Sequence, residues 1–174
     1  GNTVYVELYK FPKDLEELVL HTEDFLATSF VFRMYAALAV LNAVLELHSM
    51  GKLHMDIKPL NFLEDDMVMI VASDFGFAEN LLQHGDNLNE VIRLPKTKGT
   101  HGFIANEVYQ RAEYSMKSDV YATGVSILSL LMRLPIKAKD PQIATPSTLE
   151  RLLNKRAGPY DNELIRRYFV KVLD

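Results

Sequence analysis

The stretch that most constrains the fold and chemistry of this chain is residues 54–76, HMDIKPLNFLEDDMVMIVASDFG. It places an acid, a cation and an amide, Asp56, Lys58 and Asn61, within six residues. A second acid, Asp74, begins an Asp-Phe-Gly turn eighteen positions after the first. A single Asp or Asn is most often a surface turn residue. Only the joint spacing of all four side chains indicates a functional site.

These four side chains supply the groups that phosphoryl transfer requires. One carboxylate can orient the attacking hydroxyl and take its proton, and a cation can steady the migrating phosphoryl group. An amide and a second carboxylate can hold Mg²⁺ against the phosphates. The segment resembles the catalytic loop and the metal-binding turn of the eukaryotic protein kinases, whose patterns are HRDxKxxN and DFG.

Two further motifs extend the resemblance. The family closes its activation segment with Gly-Thr, an aromatic residue and Ala-Pro-Glu, and Gly99–Glu107, GTHGFIANE, stands at that place. Asp119 follows twelve positions later in SDVYATGVSILSLLM, which resembles the start of the large buried helix of the kinase C-lobe. Three motifs in the right order are a specific signal, whereas a lone Asp-Phe-Gly is weak. The NFL after DIKP is also similar to divergent, rhoptry-type secreted parasite kinases.

The resemblance implies a role for each matching residue. Asp56 would be the catalytic base, and Lys58, which is typical of Ser/Thr kinases, would neutralise the γ-phosphate of ATP. Asn61 and Asp74 would bind Mg²⁺ through oxygen atoms, the ligands that a hard cation selects, and so hold the nucleotide. Leu63 would form the floor beneath the adenine. The implied function is ATP-dependent phosphoryl transfer to Ser or Thr of a protein substrate.

Other residues of these motifs are interpreted as structural. In the family, residues at the positions of His54 and Phe75 belong to a stack of side chains that links the two lobes. Asp119 would anchor the backbone of the catalytic loop from below, since a buried carboxylate requires hydrogen-bond partners. The remaining histidines, which show no mutual spacing typical of a metal site, are His21, His48, His84 and His101.

Three features depart from the family pattern. Met55 replaces the arginine that commonly receives the phosphate of an activated loop, which removes the main electrostatic partner of that switch. Asn106 replaces the proline of Ala-Pro-Glu, and the segment from Asp74 to Glu107 is longer than usual. Thr97 is a candidate phosphorylation site, although a solvated loop threonine is the simpler interpretation. A second class of function therefore stays open, a pseudokinase that acts as a scaffold or allosteric partner.

The hydrophobic pattern predicts a mainly α-helical fold with a small β-hairpin that carries the site. Ser118–Met132 is apolar on nearly every side, which predicts a buried helix. A second helix is predicted over Ser29–Ser49, and Gly51 ends it. The apolar residues that define one face of this helix are Met34, Leu38, Leu41 and Leu45. The other predicted elements are strands at Thr3–Leu8, around Asn61–Leu63 and at Met67–Val71, a loop at Phe77–Lys98, and helices at Leu15–Leu20, Leu149–Asn154 and Asn162–Leu173.

The length of the chain bears on its domain organisation. A complete kinase domain has about 250 residues, near the upper end of single-domain size, whereas this chain has 174 and reaches the catalytic loop at residue 54. It contains no Gly-rich phosphate loop and no Val-Ala-Ile-Lys strand motif. We therefore expect residues 1–174 to be a partial kinase domain, the hinge plus most of the C-lobe. The N-lobe, largely absent from this chain, would be required for a full site.

Composition excludes several other classes of function. Hydrophobic residues are 48% and charged residues 24% of the chain, which is typical of a globular domain. The net charge of −4 and the lack of a basic block argue against nucleic acid or an anionic membrane surface as partner. No apolar run reaches the roughly 18 residues of a membrane span. The chain has no cysteine, which excludes a disulfide framework but does not fix the compartment.

Overall fold

The computed structural model describes residues 10–23, 29–83 and 90–137, which form helices and short strands joined by turns. The predicted strand at 3–8 and the predicted helices at 149–154 and 162–173 lie outside these ranges. The α-helices are α1 (Phe30–Ser49), α2 (Asn106–Arg111) and α3 (Met116–Met132). The strands are β1 (Lys13–Asp14), β2 (Lys52–Leu53), β3 (Phe62–Glu64), β4 (Ile70–Ala72), β5 (Glu79–Asn80), β6 (Ile92–Arg93) and β7 (Glu113–Tyr114). The tighter or wider helical turns are a π-helical turn at Glu16–Leu20 and 3₁₀ turns at Pro59–Asn61, Phe75–Phe77 and Leu81–Gln83.

The strands pair into three small antiparallel sheets. The first has the order β1-β3-β4, and its β3–β4 pair is the predicted hairpin. The second strand of the hairpin begins later than predicted because the side chain of Asp65 organises the turn. Its Oδ1 accepts from the backbone N–H groups of Met67 and Met69, at 2.9 and 2.8 Å. The other sheets pair β2 with β5 and β6 with β7, so the predicted loop at 77–98 contains two short strands.

Helix α1 forms where the sequence predicts it, but it buries a different face from the one that the pattern defined. The Ser29 side chain caps it by accepting from the Phe32 N–H at 3.2 Å. The residues of the predicted face, which are 37–56% exposed, are Met34, Leu38, Leu41 and Leu45. The helix instead packs on α3 and β4 through a stripe of mostly smaller side chains, which permits close approach of the helix axes. The buried apolar members of this stripe are Ala36, Ala37, Val40, Val44 and Leu47.

The same helix is long and apolar enough to cross a membrane by length and composition alone, so the expectation that no apolar run reaches that length is wrong. Its most apolar 18-residue window has a mean hydropathy of 1.6, and 33% of that window is buried against the rest of the chain. The core helix of a water-soluble domain can meet the same criteria. One such helix within the described ranges is therefore weak evidence for a membrane span.

Helix α3 is buried over most of its length, as predicted. It begins with a capping box, in which the Ser115 side chain accepts from the backbone of Ser118 and the Ser118 side chain accepts from the backbone of Ser115. Ala122 and Leu130 belong to a core cluster shared with α1, the hairpin and the π-helical turn. The buried Asp119 lies in the first turn. The helix therefore connects the main core to the loop that precedes the hairpin.

Candidate active site

The loop at residues 54–61 is held in place by Asp119. One carboxylate oxygen accepts from the His54 N–H at 2.8 Å, and the other accepts from the Met55 N–H at 3.0 Å. The His48 ring nitrogen Nε2 lies 3.1 Å from the first of these oxygens. Met55 itself has a left-handed backbone, with φ of 67°. The prediction that Asp119 anchors the backbone of this loop is confirmed.

The carboxylate of Asp56 lies in a closed ring of hydrogen bonds with Lys58 and Thr100. Lys58 Nζ donates to Asp56 Oδ2 and to Thr100 Oγ1, each at 2.8 Å. Thr100 Oγ1 in turn donates to Asp56 Oδ1 at 2.7 Å. Thr100 is a site residue that sequence reasoning missed. The Gly-Thr pair of GTHGFIANE was the available signal, but nothing in the pattern connects it to a residue 44 positions earlier.

Asn61 joins this group through its amide nitrogen. Nδ2 donates to the backbone oxygen of Asp56 at 2.8 Å and to its Oδ2 at 3.1 Å. Asn61 is 4% exposed and Asp56 is 7% exposed, so both contacts are shielded from water. Because the amide nitrogen is engaged, the amide oxygen is the atom of Asn61 suited to hold a cation.

The net electrostatic effect of these contacts is to favour the charged form of Asp56. Burial, the largest single effect, raises the pKa of its carboxyl group, and hydrogen bonds from Lys58 and Thr100 lower it. The positive charge of Lys58 and the amide of Asn61 act in the same direction. The pKa of Asp56 therefore lies below its ordinary value of 3.8, and the group is a carboxylate at neutral pH.

Asp74 follows strand β4, at the base of the hairpin. The neighbouring Ser73 donates to the backbone oxygen of Asn61 from its N–H at 2.9 Å and from its Oγ at 3.1 Å. These bonds bring the start of the Asp-Phe-Gly turn beside Asn61. Asp74 is exposed, has φ of 56°, and directs Oδ1 over Gly76, where a β-carbon would lie 3.3 Å away. The two residues predicted as metal ligands thus belong to adjoining stretches of backbone at the base of the hairpin.

The apolar residues near the site have distinct positions. Leu63 is half-buried in the middle strand of the first sheet, opposite Asp14 and Val71. The His54 ring packs on Phe75, with ring centroids 5.2 Å apart, and also on Phe62 at 6.4 Å. His54 Nε2 also lies 3.0 Å from the backbone oxygen of Ser73. His54 therefore connects the loop to the Asp-Phe-Gly turn, in keeping with the structural interpretation of both aromatic residues.

The two substitutions in the motifs are both accommodated by the surrounding fold. The Met55 side chain is 4% exposed and belongs to an apolar cluster with Ile92 of β6, Val108 of α2 and Tyr114 of β7. Apolar packing therefore connects the loop to the segment that follows the Asp-Phe-Gly turn. Asn106 is the first residue of α2, so the helix starts without the proline of the family pattern.

Comparison with known proteins decides the family. A sequence model of the protein kinase domain matches residues 7–168. The chain belongs to the protein kinase family. The helices and small sheets of this kinase-family chain are compatible with part of such a domain, and the motifs around Asp56, Asp74 and Glu107 stand in the family's order.

Plant receptor kinases are among the relatives of this kinase-family chain. A G-type lectin S-receptor-like serine/threonine-protein kinase of Oryza sativa subsp. japonica is 40% identical over 102 residues, which is 57% of this chain and 12% of that protein. A nodulation receptor kinase of Pisum sativum is 30% identical over 64% of this chain and 12% of its own length. A probable LRR receptor-like serine/threonine-protein kinase of Arabidopsis thaliana is 26% identical over 80% of this chain and 16% of its length. The chain spans only a small part of these proteins, and they give the rhoptry-type resemblance no support.

Proposed function

We propose that this chain is the C-lobe part of a protein kinase domain that transfers the γ-phosphoryl group of ATP to Ser or Thr of a protein substrate. Membership of the protein kinase family and the serine/threonine-protein kinase names of two relatives support the proposal. The observation that carries it is the hydrogen-bonded ring of Asp56, Lys58 and Thr100. This ring combines a charged base, a cation and a hydroxyl in one shielded place.

Asp56 is the proposed catalytic base. A carboxylate has about four lone-pair positions, and Asp56 uses three of them for Lys58, Asn61 and Thr100. The fourth can accept the proton of an incoming Ser or Thr hydroxyl, or orient that hydroxyl toward the phosphorus atom. Because its pKa is lowered, the Asp56 carboxylate is a weak base. In the ground state it therefore orients the substrate hydroxyl more effectively than it removes the proton.

Lys58 is the proposed charge neutraliser. Its ammonium group has three N–H donors and uses two of them on Asp56 and Thr100. These two bonds fix the orientation of the ammonium group. Its third N–H can then donate to a phosphoryl oxygen as negative charge shifts during transfer. Leu63, in the sheet beside the loop, is the proposed floor beneath the adenine ring.

Asn61 and Asp74 are the proposed metal ligands. The amide oxygen of Asn61 and the carboxylate of Asp74 are hard oxygen donors, which suit Mg²⁺ rather than a soft metal. The bonds from Ser73 to the Asn61 carbonyl hold the two residues on adjoining backbone. Bound ATP would supply the phosphoryl group, and the cation would neutralise its phosphates.

Residues 1–174 lack two elements that hold the phosphates of ATP in a complete kinase domain. The Gly-rich phosphate loop and the strand lysine for the α- and β-phosphates are absent from this sequence. Residues 1–174 would therefore be the hinge and most of the C-lobe, and an N-lobe would be required to complete the nucleotide site. Nucleic acid and a membrane span have no part in the proposed reaction.

The decisive experiment replaces Asp74 by Ala in a complete kinase domain that contains residues 1–174. We expect Asp74→Ala to lower kcat by several orders of magnitude, because loss of metal-held charge stabilisation raises the barrier by several kcal/mol. Asp66→Ala, which removes an exposed carboxylate from the hairpin turn, is the matched control and should leave kcat unchanged. Phosphate incorporation into a Ser/Thr peptide measures both. Equal activity of both variants would rule out the metal-binding role of Asp74, whereas no transfer by the wild type would favour the pseudokinase alternative.

A further inference from the structure

The hydroxyl of Tyr114 is bonded to both polar backbone groups of Lys98. Tyr114 is 1% exposed, and its Oη donates to the Lys98 carbonyl oxygen at 3.0 Å and accepts from the Lys98 N–H. A phenolic hydroxyl can donate and accept at the same time. One side chain therefore fixes the position of a peptide segment 16 residues earlier in the chain.

The segment from Lys98 to Thr100 has little freedom to shift independently of that hydroxyl. Gly99 has φ of 96°, which side-chain-bearing residues rarely adopt. A β-carbon at Gly99 would lie 2.8 Å from the backbone oxygen of Met55 and 2.8 Å from Ile104 Cγ2. The backbone therefore passes directly against the loop that carries the proposed base, and this close contact limits how far Lys98 can move without moving Thr100.

The side chain of Lys98 points toward Phe77 and Glu79, which directly follow the Asp-Phe-Gly turn. Its Nζ lies 3.9 Å from Glu79 Oε1 and 5.5 Å from the centre of the Phe77 ring. Such partly exposed charge contacts contribute little on their own. The two partly buried hydrogen bonds between the Lys98 backbone and the Tyr114 hydroxyl are the stronger constraint on Lys98.

We infer that Tyr114 is a positioning residue for phosphoryl transfer. Its hydroxyl fixes Lys98, and through Gly99 it keeps Thr100 Oγ1 bonded to the carboxylate and the ammonium group of the ring. The inference rests on the proposed function, since it concerns the same ring, but Tyr114 itself lies outside it. A purely structural role would depend on the aromatic ring, which packs in the cluster around Met55, and not on the hydroxyl.

The first test measures amide hydrogen exchange by NMR in the full chain with Tyr114→Phe, which keeps the ring and removes Oη. We expect the Lys98 amide to exchange about tenfold faster or more, since its hydrogen bond to the Tyr114 hydroxyl is lost. Amides of α3 from 122 to 130 should not change. Tyr109→Phe is the matched control, because Tyr109 is 52% exposed and packs on His101. An unchanged Lys98 amide, or equal acceleration along α3, would overturn the inference.

The second test is a double-mutant cycle in the complete kinase domain. We expect Tyr114→Phe to lower kcat about tenfold with the KM for ATP unchanged, since one hydrogen bond is worth about that factor. In a Thr100→Val background the same substitution should have little further effect, because the contact that it positions is already lost. Equal factors in both backgrounds would contradict the inference. If the domain shows no Asp56-dependent transfer, the proposed function fails, whereas the exchange measurement still decides what Tyr114 does.

Discussion

Asp119 and Asp56 carry the same chemical group and differ in what surrounds it. Asp119 is 2% exposed and receives bonds from the backbone of His54 and Met55 and from the ring of His48. Its carboxylate is thus committed to holding a loop. Asp56 receives its side-chain bonds from Lys58, Asn61 and Thr100. Surroundings, and not residue type, separate the structural carboxylate from the proposed catalytic one.

The protonation of Asp56 gives a prediction on acid stability. Because its pKa is lower in the folded chain than its ordinary value of 3.8, folding favours the charged form. That contribution to stability is complete above about pH 4 and is lost as the pH falls through the lowered pKa of the folded state. Thr100→Val removes a donor to this carboxylate, so we expect the pKa of Asp56 to rise. A ¹³C NMR titration of the Asp56 carboxyl group measures it.

Thr97 provides the control for this titration. Its hydroxyl donates to the backbone oxygen of Val108 at 3.4 Å and not to Asp56. Thr97→Val should therefore leave the pKa of Asp56 where it is in the wild type. A pKa that is equal in the Thr100→Val and wild-type chains would mean that Thr100 does not stabilise the carboxylate.

At the residue scale, spacing alone predicts side chains that are close along the chain, whereas the contact of Asp119 with the loop was predicted from the family resemblance. Asp56, Lys58 and Asn61 lie within six residues, and the turn that brings them together is local. Thr100 and Tyr114 could not be predicted in this way, because their contacts form only when distant segments fold against each other. Such contacts depend on tertiary packing, which local pattern does not encode.

Elements with a strong local signal form where the sequence predicts them. Elements that depend on a distant partner also form, but the sequence pattern does not predict them. Helix α3 and the hairpin follow from apolar content and from turn residues. The pair of β2 with β5 joins Lys52–Leu53 to Glu79–Asn80, and strands of two residues have no periodicity to detect. Helix α1 shows a related limit, since its sequence has two apolar stripes and only packing against α3 selects the buried one.

The segment between β6 and α2 gives a prediction on stability. Gly99 has φ of 96° and a β-carbon there would lie 2.8 Å from the Met55 backbone oxygen. We expect Gly99→Ala to lower the free energy of unfolding by roughly 1–3 kcal/mol through backbone strain. Gly124→Ala is the matched control, because its β-carbon would meet nothing within 4 Å in α3. That variant should gain roughly 0.5–1 kcal/mol. Urea unfolding measures both, and the same sign for both would contradict the strain argument.

At the scale of the whole molecule, the core and the proposed site are continuous. The cluster around α1 and α3 includes Ile57, which lies within the loop of the proposed site, and Phe62, which follows that loop directly. The cluster around Met55 includes residues of the segment that carries Thr100. By contrast, Phe75 and Phe77 are 49% and 40% exposed. Apolar side chains exposed beside a polar site are typical of a surface that a partner covers, and a kinase N-lobe is the partner that we propose.

The last prediction concerns residues 1–174 by themselves. We expect this chain to bind Mg·ATP weakly and to transfer no phosphoryl group, because the proposed site holds the nucleotide only from the side of Asn61 and Asp74. Catalysis of phosphoryl transfer depends on positioning and on charge held in advance, and the Gly-rich loop and strand lysine that would complete the clamp are absent from the sequence. Calorimetry with Mg·ATP and a peptide transfer assay, each with Asp56→Asn as control, measure this. Tight nucleotide binding together with Asp56-dependent turnover would mean that these residues build a complete phosphoryl-transfer site without an N-lobe.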